Sequence, residues 1–355
     1  MKKYLALLLA LVMVLSLCAC GNSAPAATEA PAAEPAAEPA ADDLVSLAQA
    51  EGELVVYGSC EEEYLAAACE NFEKLYGIKT TYQRLSTGEV QAKIEEENGN
   101  PSADVWFGGT TDPYNVVAGE GLLEAYEAEN ASHLLSDMYR DKDGYWYGIY
   151  KGILGFMVNT DELERMNLEA PQDWPDLLKP EYKGLISMPS PKSSSTGYIF
   201  LLNLVNAWGA EKAFTFFDGL AENISGAGFT SSGSGPIQNL IMGEAVIGLG
   251  MTHQAVTEIN NGEPLEVHFL AEGSPYDVYS SAVIKGKETD EDVMKVFDYL
   301  VNEITPKDKE LYAPETIYKD RTFTKPNYPE TIPYGDMSGI SDISVKDSLL
   351  SKWKY

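Results

Sequence analysis

Ser102–Pro113, SADVWFGGTTDP, decides how this chain folds. Val105, Trp106 and Phe107 form a short apolar run of the kind that fills a buried strand. Gly108 and Gly109 break the run, and Thr110 and Thr111 add hydroxyls. Thr111 or Asp112 suits a helix N-cap, and Pro113 suits the first helical position. The chain therefore leaves a strand, crosses a hydroxyl-lined glycine turn and enters a helix. Two glycines and two hydroxyls at such a junction need a physical reason.

Outward from this stretch the same alternation repeats. GELVVYG (52–58) is an expected strand, and EEEYLAAACENFEKLYG (61–77) an amphipathic helix that stops at Gly77. IKTTYQRL (78–85) alternates and carries β-branched residues, so it predicts a strand. STGEVQAKIEEENGN (86–100) predicts a helix opened by the Ser-x-x-Glu spacing of a capping box. DPYNVVAGEGLLEAY (112–126) predicts the next helix. YWYGIYKGILGFMVNTDEL (145–163) is a long extended run, a candidate crossing between two lobes. A second α/β unit follows, and PLEVHFLAEGSPYDVYSSAVIKG (264–286) is extended again and crosses back. DEDVMKVFDYLVNEI (290–304) predicts a further helix. This order implies an α/β fold with mostly parallel sheets and helices on both faces.

The first residues stand outside the fold. Lys2 and Lys3 precede the apolar run YLALLLALVMVLSL, which is too short for a comfortable membrane span. Leu17-Cys18-Ala19-Cys20 then resembles the lipobox of a bacterial lipoprotein signal peptide, which implies cleavage before Cys20 and lipidation of its thiol. An ordinary signal peptide cut near Ala19 is the alternative. Residues 21 to 42 are Ala, Pro and Glu with almost no large apolar side chain, so they cannot offset their ordering entropy and suit a tether.

The rest suits two lobes rather than one core. The expected organisation is a signal peptide at 1–19, lipidated Cys and tether at 20–42, lobe 1 at 43–148, lobe 2 at 149–264, a return to lobe 1 at 265–303, and a C-terminal tail at 304–355. The chain carries a formal charge of −30, nearer −32 without Lys2 and Lys3, which argues against nucleic acid and against electrostatic docking on anionic lipid. Cys60 and Cys69 are the informative cysteines. A bridge between them is chemically allowed outside the cytoplasm, and its geometry is open.

Four strand-to-helix junctions share one chemistry: Ser86-Thr87-Gly88, Gly108-Gly109-Thr110-Thr111, Ser193-Ser194-Ser195-Thr196-Gly197, and Ser231-Ser232-Gly233-Ser234-Gly235 before Pro236. A helix start presents free backbone N–H groups and about half a positive charge, enough to hold an anion without a lysine. Glycine lets the backbone approach a ligand. Ligands of open α/β sheets collect beyond the carboxyl ends of the strands. The glycines and hydroxyls are thus expected to wall a small-molecule cleft, although each such junction is also an ordinary cap. His253, in VIGLGMTHQ, is expected at a strand end facing that cleft, and Glu272 on the returning segment. No Gly-x-Ser-x-Gly, His-Glu-x-x-His or Walker loop occurs in the body, and the histidines and thiols form no persuasive nucleophile-and-base pair.

From about Gly52 to Glu303 the chain resembles the substrate-binding proteins of bacterial ABC importers, in their ferric-iron-binding-like branch. GELVVYGS, NFEKLYGIKT, STGEVQAKIEEE, SADVWFGG, GILGFMVNTDEL, WPDLLKPEYKGLISMPSP and GEAVIGLG carry the resemblance together. It implies a two-lobed, type II periplasmic-binding-protein-like fold. Ferric binders use an adjacent tyrosine pair, and no Tyr-Tyr occurs here. DVWFGGTTDP, SSSTGY, SSGSGP, GMTHQ and AEGSPYD look closer to a sub-branch that binds sugar phosphates. By that resemblance His253, Gln254 and Glu272 would hold sugar hydroxyls, with glutamine where the sub-branch more often has aspartate. Ser86, Thr87, Gly109, Thr110, Ser194, Ser195, Thr196 and Ser232 would hold the phosphate end.

The expectation is a monomeric, lipid-anchored, extracytoplasmic receptor for a small anionic solute, with no cofactor and no catalysis, that closes on its ligand and serves a permease and ATPase. Ferric iron held by Tyr276 or Tyr279, Glu272 and His253 is the alternative ligand. An extracytoplasmic phosphoester hydrolase is the alternative class.

Overall fold

The computed structural model describes residues 53–286, 317–320 and 324–355, all within the compact unit that begins at Ala40. The signal segment, Cys20, the tether and the helix expected at 290–304 lie outside the described residues.

The first half repeats strand and helix as the sequence anticipates. Strand β1 (Glu53–Gly58) leads to helix α1 (Glu62–Tyr76), which Gly77 ends in the left-handed conformation. Strand β2 (Lys79–Arg84) leads to α2 (Thr87–Glu97), where Ser86 and Glu89 complete the capping box. Strand β3 (Val105–Thr110), buried along its whole length, leads to α3 (Thr111–Gly119). Helix α3 ends earlier than 126 because Gly121 turns the chain into the short strand β4 (Leu123–Glu124). Its N-cap is Thr110 rather than Thr111 or Asp112.

Strand β5 (Tyr147–Asn159) is the long crossing, followed by α4 (Thr160–Met166) and β6 (Ile186–Ser187). Helices α5 (Ser195–Trp208) and α6 (Ala210–Leu220) come next, then α7 (Gly235–Ile241), β7 (Ile247–Met251), α8 (Thr252–Asn261) and β8 (Leu265–His268). Strand β9 (Tyr276–Ile284) returns, and α9 (Ile343–Leu350) closes the described chain.

The strands line up as β2-β1-β3-β9-β5-β7-β6, with β4 on β9 and β8 on β5. Parallel pairing is confined to the flanks, β1 with β2 and β3, and β6 with β7. The sheet is mixed rather than mostly parallel, because β5 and β9 run antiparallel to each neighbour they bridge. Strand β5 changes partner midway. Residues 147–153 pair with β9, while Leu154–Val158 pair with β7. One half of the sheet therefore holds β2, β1, β3 and β9, the other β7, β6 and β8, and β5 belongs to both.

Packing fixes the glycine turn. Trp106 stacks on Tyr114 at 3.9 Å between ring centroids and donates to Ser59 Oγ at 3.0 Å. The Tyr114 hydroxyl reaches the carbonyls of Gly108 (2.6 Å) and Ser280 (2.7 Å). Tyr114 thereby ties the end of β3 to β9 from inside the core.

Candidate functional site

Gly108 and Gly109 both have positive φ, +86° and +87°, and they shift the register between β3 and β9. A Cβ on Gly108 would lie 2.8 Å from the Cys60 nitrogen. One on Gly109 would lie 2.8 Å from the Thr87 side chain and 3.0 Å from Ser59. Only glycine satisfies both the backbone conformation and this closeness. The turn brings three chain ends, after β1, β2 and β3, against one another.

Beyond those ends lies a narrow cavity of about 30 Å³, lined by Ser59, Cys60, Glu61, Arg84, Ser86, Thr87, Thr110, Ser194, Ser195, Thr196, Ser232, Gly233, Ser234, Met251 and Tyr279. Its walls are the starts of α1, α2, α3 and α5 and the loop before α7. The N-caps Glu61, Thr110 and Ser194 make no side-chain cap to their own helices. A helix start left uncapped keeps donors for another partner. A wider pocket of about 310 Å³ shares Glu61, Arg84 and Ser234 with the narrow one and adds Glu62, Glu63, Gln238, His253, Gln254, Thr257 and Glu258.

The predicted site residues divide between these two spaces. Ser86, Thr87, Thr110, Ser194, Ser195, Thr196 and Ser232 line the narrow cavity, with Gly109 directly behind Thr87. His253 and Gln254, on the first turn of α8, line the wide pocket. Glu272 lines neither: its Oε1 accepts from Trp208 Nε1 at 3.0 Å. Trp208 ends α5 and Ser195 begins it, so about 20 Å of helix separates Glu272's partner from the cavity. Tyr276 lies outside as well, against Tyr334, with ring centroids 5.2 Å apart. Tyr276 and Tyr279 are three residues apart on one strand and so face opposite ways. Only Tyr279 reaches the cavity.

Two charged residues enter that the sequence reading missed. Arg84, the last residue of β2, donates to Cys60 O (3.2 Å) and, across the cavity, to Ser234 Oγ (3.4 Å). Glu61 holds His253 Nε2 at 3.1 Å, and the two come from opposite halves of the sheet. Burial pushes the Glu61 carboxyl up, but His253, its own backbone amide and Arg84 together outweigh burial and hold it below the usual range. Ser59-Cys60-Glu61 is a strand-to-helix junction like the other four, and a search for Ser/Thr/Gly junctions alone passed over it.

The floor is aromatic. Tyr150 and Tyr279, register partners on β5 and β9, stack at 4.7 Å, and Tyr150 Oη reaches Glu61 Oε2 at 3.4 Å. Burial raises both phenols well above their ordinary range, so both remain donors at neutral pH. Tyr279 is 3% exposed, and its buried hydroxyl faces the Thr196 side chain of α5. Cys60 and Cys69 are free, buried thiols, and burial pushes Cys60 well up.

A sheet crossed twice by long strands, with helix starts gathered over a hydroxyl-lined cavity at the crossing, defines a solute-binding receptor. Residues 101–311 match the family model described as bacterial extracellular solute-binding protein. An uncharacterised Haemophilus influenzae protein is 33% identical over 317 residues, covering 86% of this chain and 91% of that one. The periplasmic binding protein AfuA of Actinobacillus pleuropneumoniae, solved with fructose-6-phosphate, aligns with a TM-score of 0.78 at 32% identity, covering 85% of this chain and 98% of that one. Iron-bound HitA of Pseudomonas aeruginosa aligns at 0.69 with 18% identity, covering 84% and 98%, a likeness of fold. The chain belongs to the bacterial extracellular solute-binding proteins. With that membership stands its place as the solute-binding part of an ABC importer.

Proposed function

We propose that the protein captures a small phosphorylated anion, a sugar phosphate or a similar organophosphate, by closing two lobes upon it. The narrow cavity takes the phosphoryl group. Backbone N–H groups at the starts of α2, α3 and α5, the hydroxyls of Thr87, Ser195, Thr196 and Ser232, the Tyr279 phenol and the Arg84 guanidinium donate to its oxygens, while the Thr110 hydroxyl is spent on Asp112 and leaves its backbone N–H for the ligand. The wide pocket takes the remainder, with Glu61, His253 and Gln254 facing the polyol hydroxyls. Glu61 fills the part expected of Glu272. Lobe 1 is residues 43–148 with 265–303, lobe 2 is 149–264, and β5 and β9 are the hinge. Ligand favours the closed member of two pre-existing states. The closed form is presented to the permease and ATPase, the protein catalyses nothing, and Cys20 anchors it by lipid on the extracytoplasmic side.

The observation that carries this reading is the convergence of helix starts, those of α3 and α5 without a side-chain cap, and one arginine on a single polar cavity, beside a pocket large enough for the rest of the solute. The AfuA complex with fructose-6-phosphate supports the ligand class. Calorimetric titration with fructose-6-phosphate, fructose and inorganic phosphate tests it. The sugar phosphate binds, inorganic phosphate competes weakly, and fructose gives no heat. Equal binding of fructose and fructose-6-phosphate contradicts the assignment of the narrow cavity.

Ferric iron is the second reading, favoured by the gathering of Glu61, His253, Tyr150 and Tyr279. It requires deprotonated phenolates where burial opposes them. A salmon colour with a phenolate-to-iron absorption band on adding ferric citrate supports iron and counts against the phosphate.

A further inference from the structure

The C-terminal helix packs on one half of the sheet and reaches the other through Lys346. Trp353, just past α9, packs on Phe217 of α6 (5.3 Å) and on Phe229 (5.4 Å), and Lys354 pairs with Asp218 of α6. These contacts bind the tail to the half that carries β6 and β7. Lys346 of α9 points the other way and pairs with Asp112 of α3, the helix that follows β3. The pair is sequestered, with side chains 17% and 3% exposed.

Asp112 touches the candidate site directly. Its Oδ1 accepts from Thr110 Oγ1 at 2.6 Å, and Thr110 lines the narrow cavity. Asp277 of β9 lies on the other side, accepting from Thr111 N and Oγ1, each at 3.4 Å, and from Val278 N at 2.8 Å. Lys346 also stands 5.5 Å over the ring of Tyr198, in the first turn of α5. A crevice of about 300 Å³ runs between the halves here, with Gly88, Gln91 and Val116 on one wall and Lys192 and Ser193 on the other. Ser194 and Ser195 line both this crevice and the narrow cavity. Lys346 therefore spans the gap immediately behind the site.

We propose that the Lys346–Asp112 pair is a closure latch: it holds the two halves together and fixes Thr110 at the ligand. The inference rests on the lobe-closure reading above. Separation of the halves strips Lys346 from the Asp112 carboxylate and leaves it beside Asp277 without its cation. Opening forfeits this sequestered, charge-assisted contact, so the pair biases the molecule toward closure. Lys346 is a positioning residue, acting on the ligand through Asp112 and Thr110.

Small-angle scattering of the ligand-free protein and the dissociation rate of fructose-6-phosphate test the latch. Lys346→Met is expected to increase the radius of gyration and to raise the dissociation rate at least tenfold, while Lys346→Arg stays near wild type in both. Should Lys346→Met fail to fold, the Asp112→Asn/Lys346→Met double variant, which leaves neither charge unpaired, is expected to show the same expansion and faster release. Wild-type compaction and release in a folded variant lacking the lysine overturn the proposal, as does a fall in melting temperature alone. Failure of fructose-6-phosphate to bind the wild type counts against the ligand reading, and the ligand-free scattering still decides the latch.

Discussion

Among the described residues Arg84 is the one guanidinium lining the narrow cavity, and it bridges the end of β1 to the loop before α7. A charge-assisted hydrogen bond to an anion contributes about 1.5–3 kcal/mol. Arg84→Met is therefore expected to weaken fructose-6-phosphate binding by about 10- to 100-fold by calorimetry, with little change in melting temperature. Tyr114 acts on stability instead. Its single O–H is shared between two buried carbonyls, and Tyr114→Phe removes it, for an expected loss of about 1–3 kcal/mol in denaturant unfolding. Asp277 sets a pH dependence. Burial first, and then the charge of Asp112, push its carboxyl up to about 8 from an ordinary 3.8. Between those values the native state keeps a proton that the unfolded chain has released, so this group's contribution falls as pH rises from about 4 to about 8. Asp277→Asn is expected to flatten that slope and to raise the melting temperature at pH 8 relative to wild type. A steeper slope in the variant contradicts the assignment.

Elements act by where their ends meet. Strands β1, β2 and β3 finish together because they are neighbours in the sheet, and each hands over to a helix whose start faces the same cavity. The glycine pair after Phe107 makes that convergence close enough to use. Gly109→Ala places a methyl group against Thr87 at φ +87°, and is expected to cost more than about 1 kcal/mol and to weaken ligand binding together with it. Restored affinity at unchanged stability loss in Gly109→Ala/Thr87→Ser marks crowding at the site as the cause. The alternating elements of the first half were legible in the sequence because each strand and helix carries its own period and its own stop, as Gly77 and the Ser86–Glu89 box do. Strand direction was not, since the antiparallel course of β5 and β9 depends on partners more than 100 residues apart. Most of the hydroxyl wall was legible for the same local reason as the helices: caps advertise themselves. Glu61 and Arg84 were not, because a charge at a strand end looks like any solvated residue until the sheet order brings β1, β2 and the loop before α7 together. Glu272 was placed by resemblance rather than by local pattern, and the fold sets it against Trp208 at the far end of α5, away from both cavities.

Across the molecule, the crossing strands join the halves of the sheet, and among the described residues polar links that tie them over the cleft include Arg84 to Ser234, Glu61 to His253, and Asp112 to Lys346. Each sets a charge from the β1–β3 side against a partner from the other side, and two of them bound the cavity itself. On the reading proposed above, closure and anion capture are one event, with the ligand supplying the negative charge that the arginine and the helix starts would hold. Wild-type protein is accordingly expected to become more compact in scattering when fructose-6-phosphate is added, and not when fructose is added. The most direct measurement is a crystal structure with fructose-6-phosphate, phasing on phosphorus to fix its position. The account predicts the phosphorus in the narrow cavity, within hydrogen-bonded reach of Thr87, Thr110, Ser195, Thr196 and Arg84. Phosphorus located outside that cavity, or a ligand whose phosphate faces solvent while its sugar fills the hydroxyl-lined end, contradicts it.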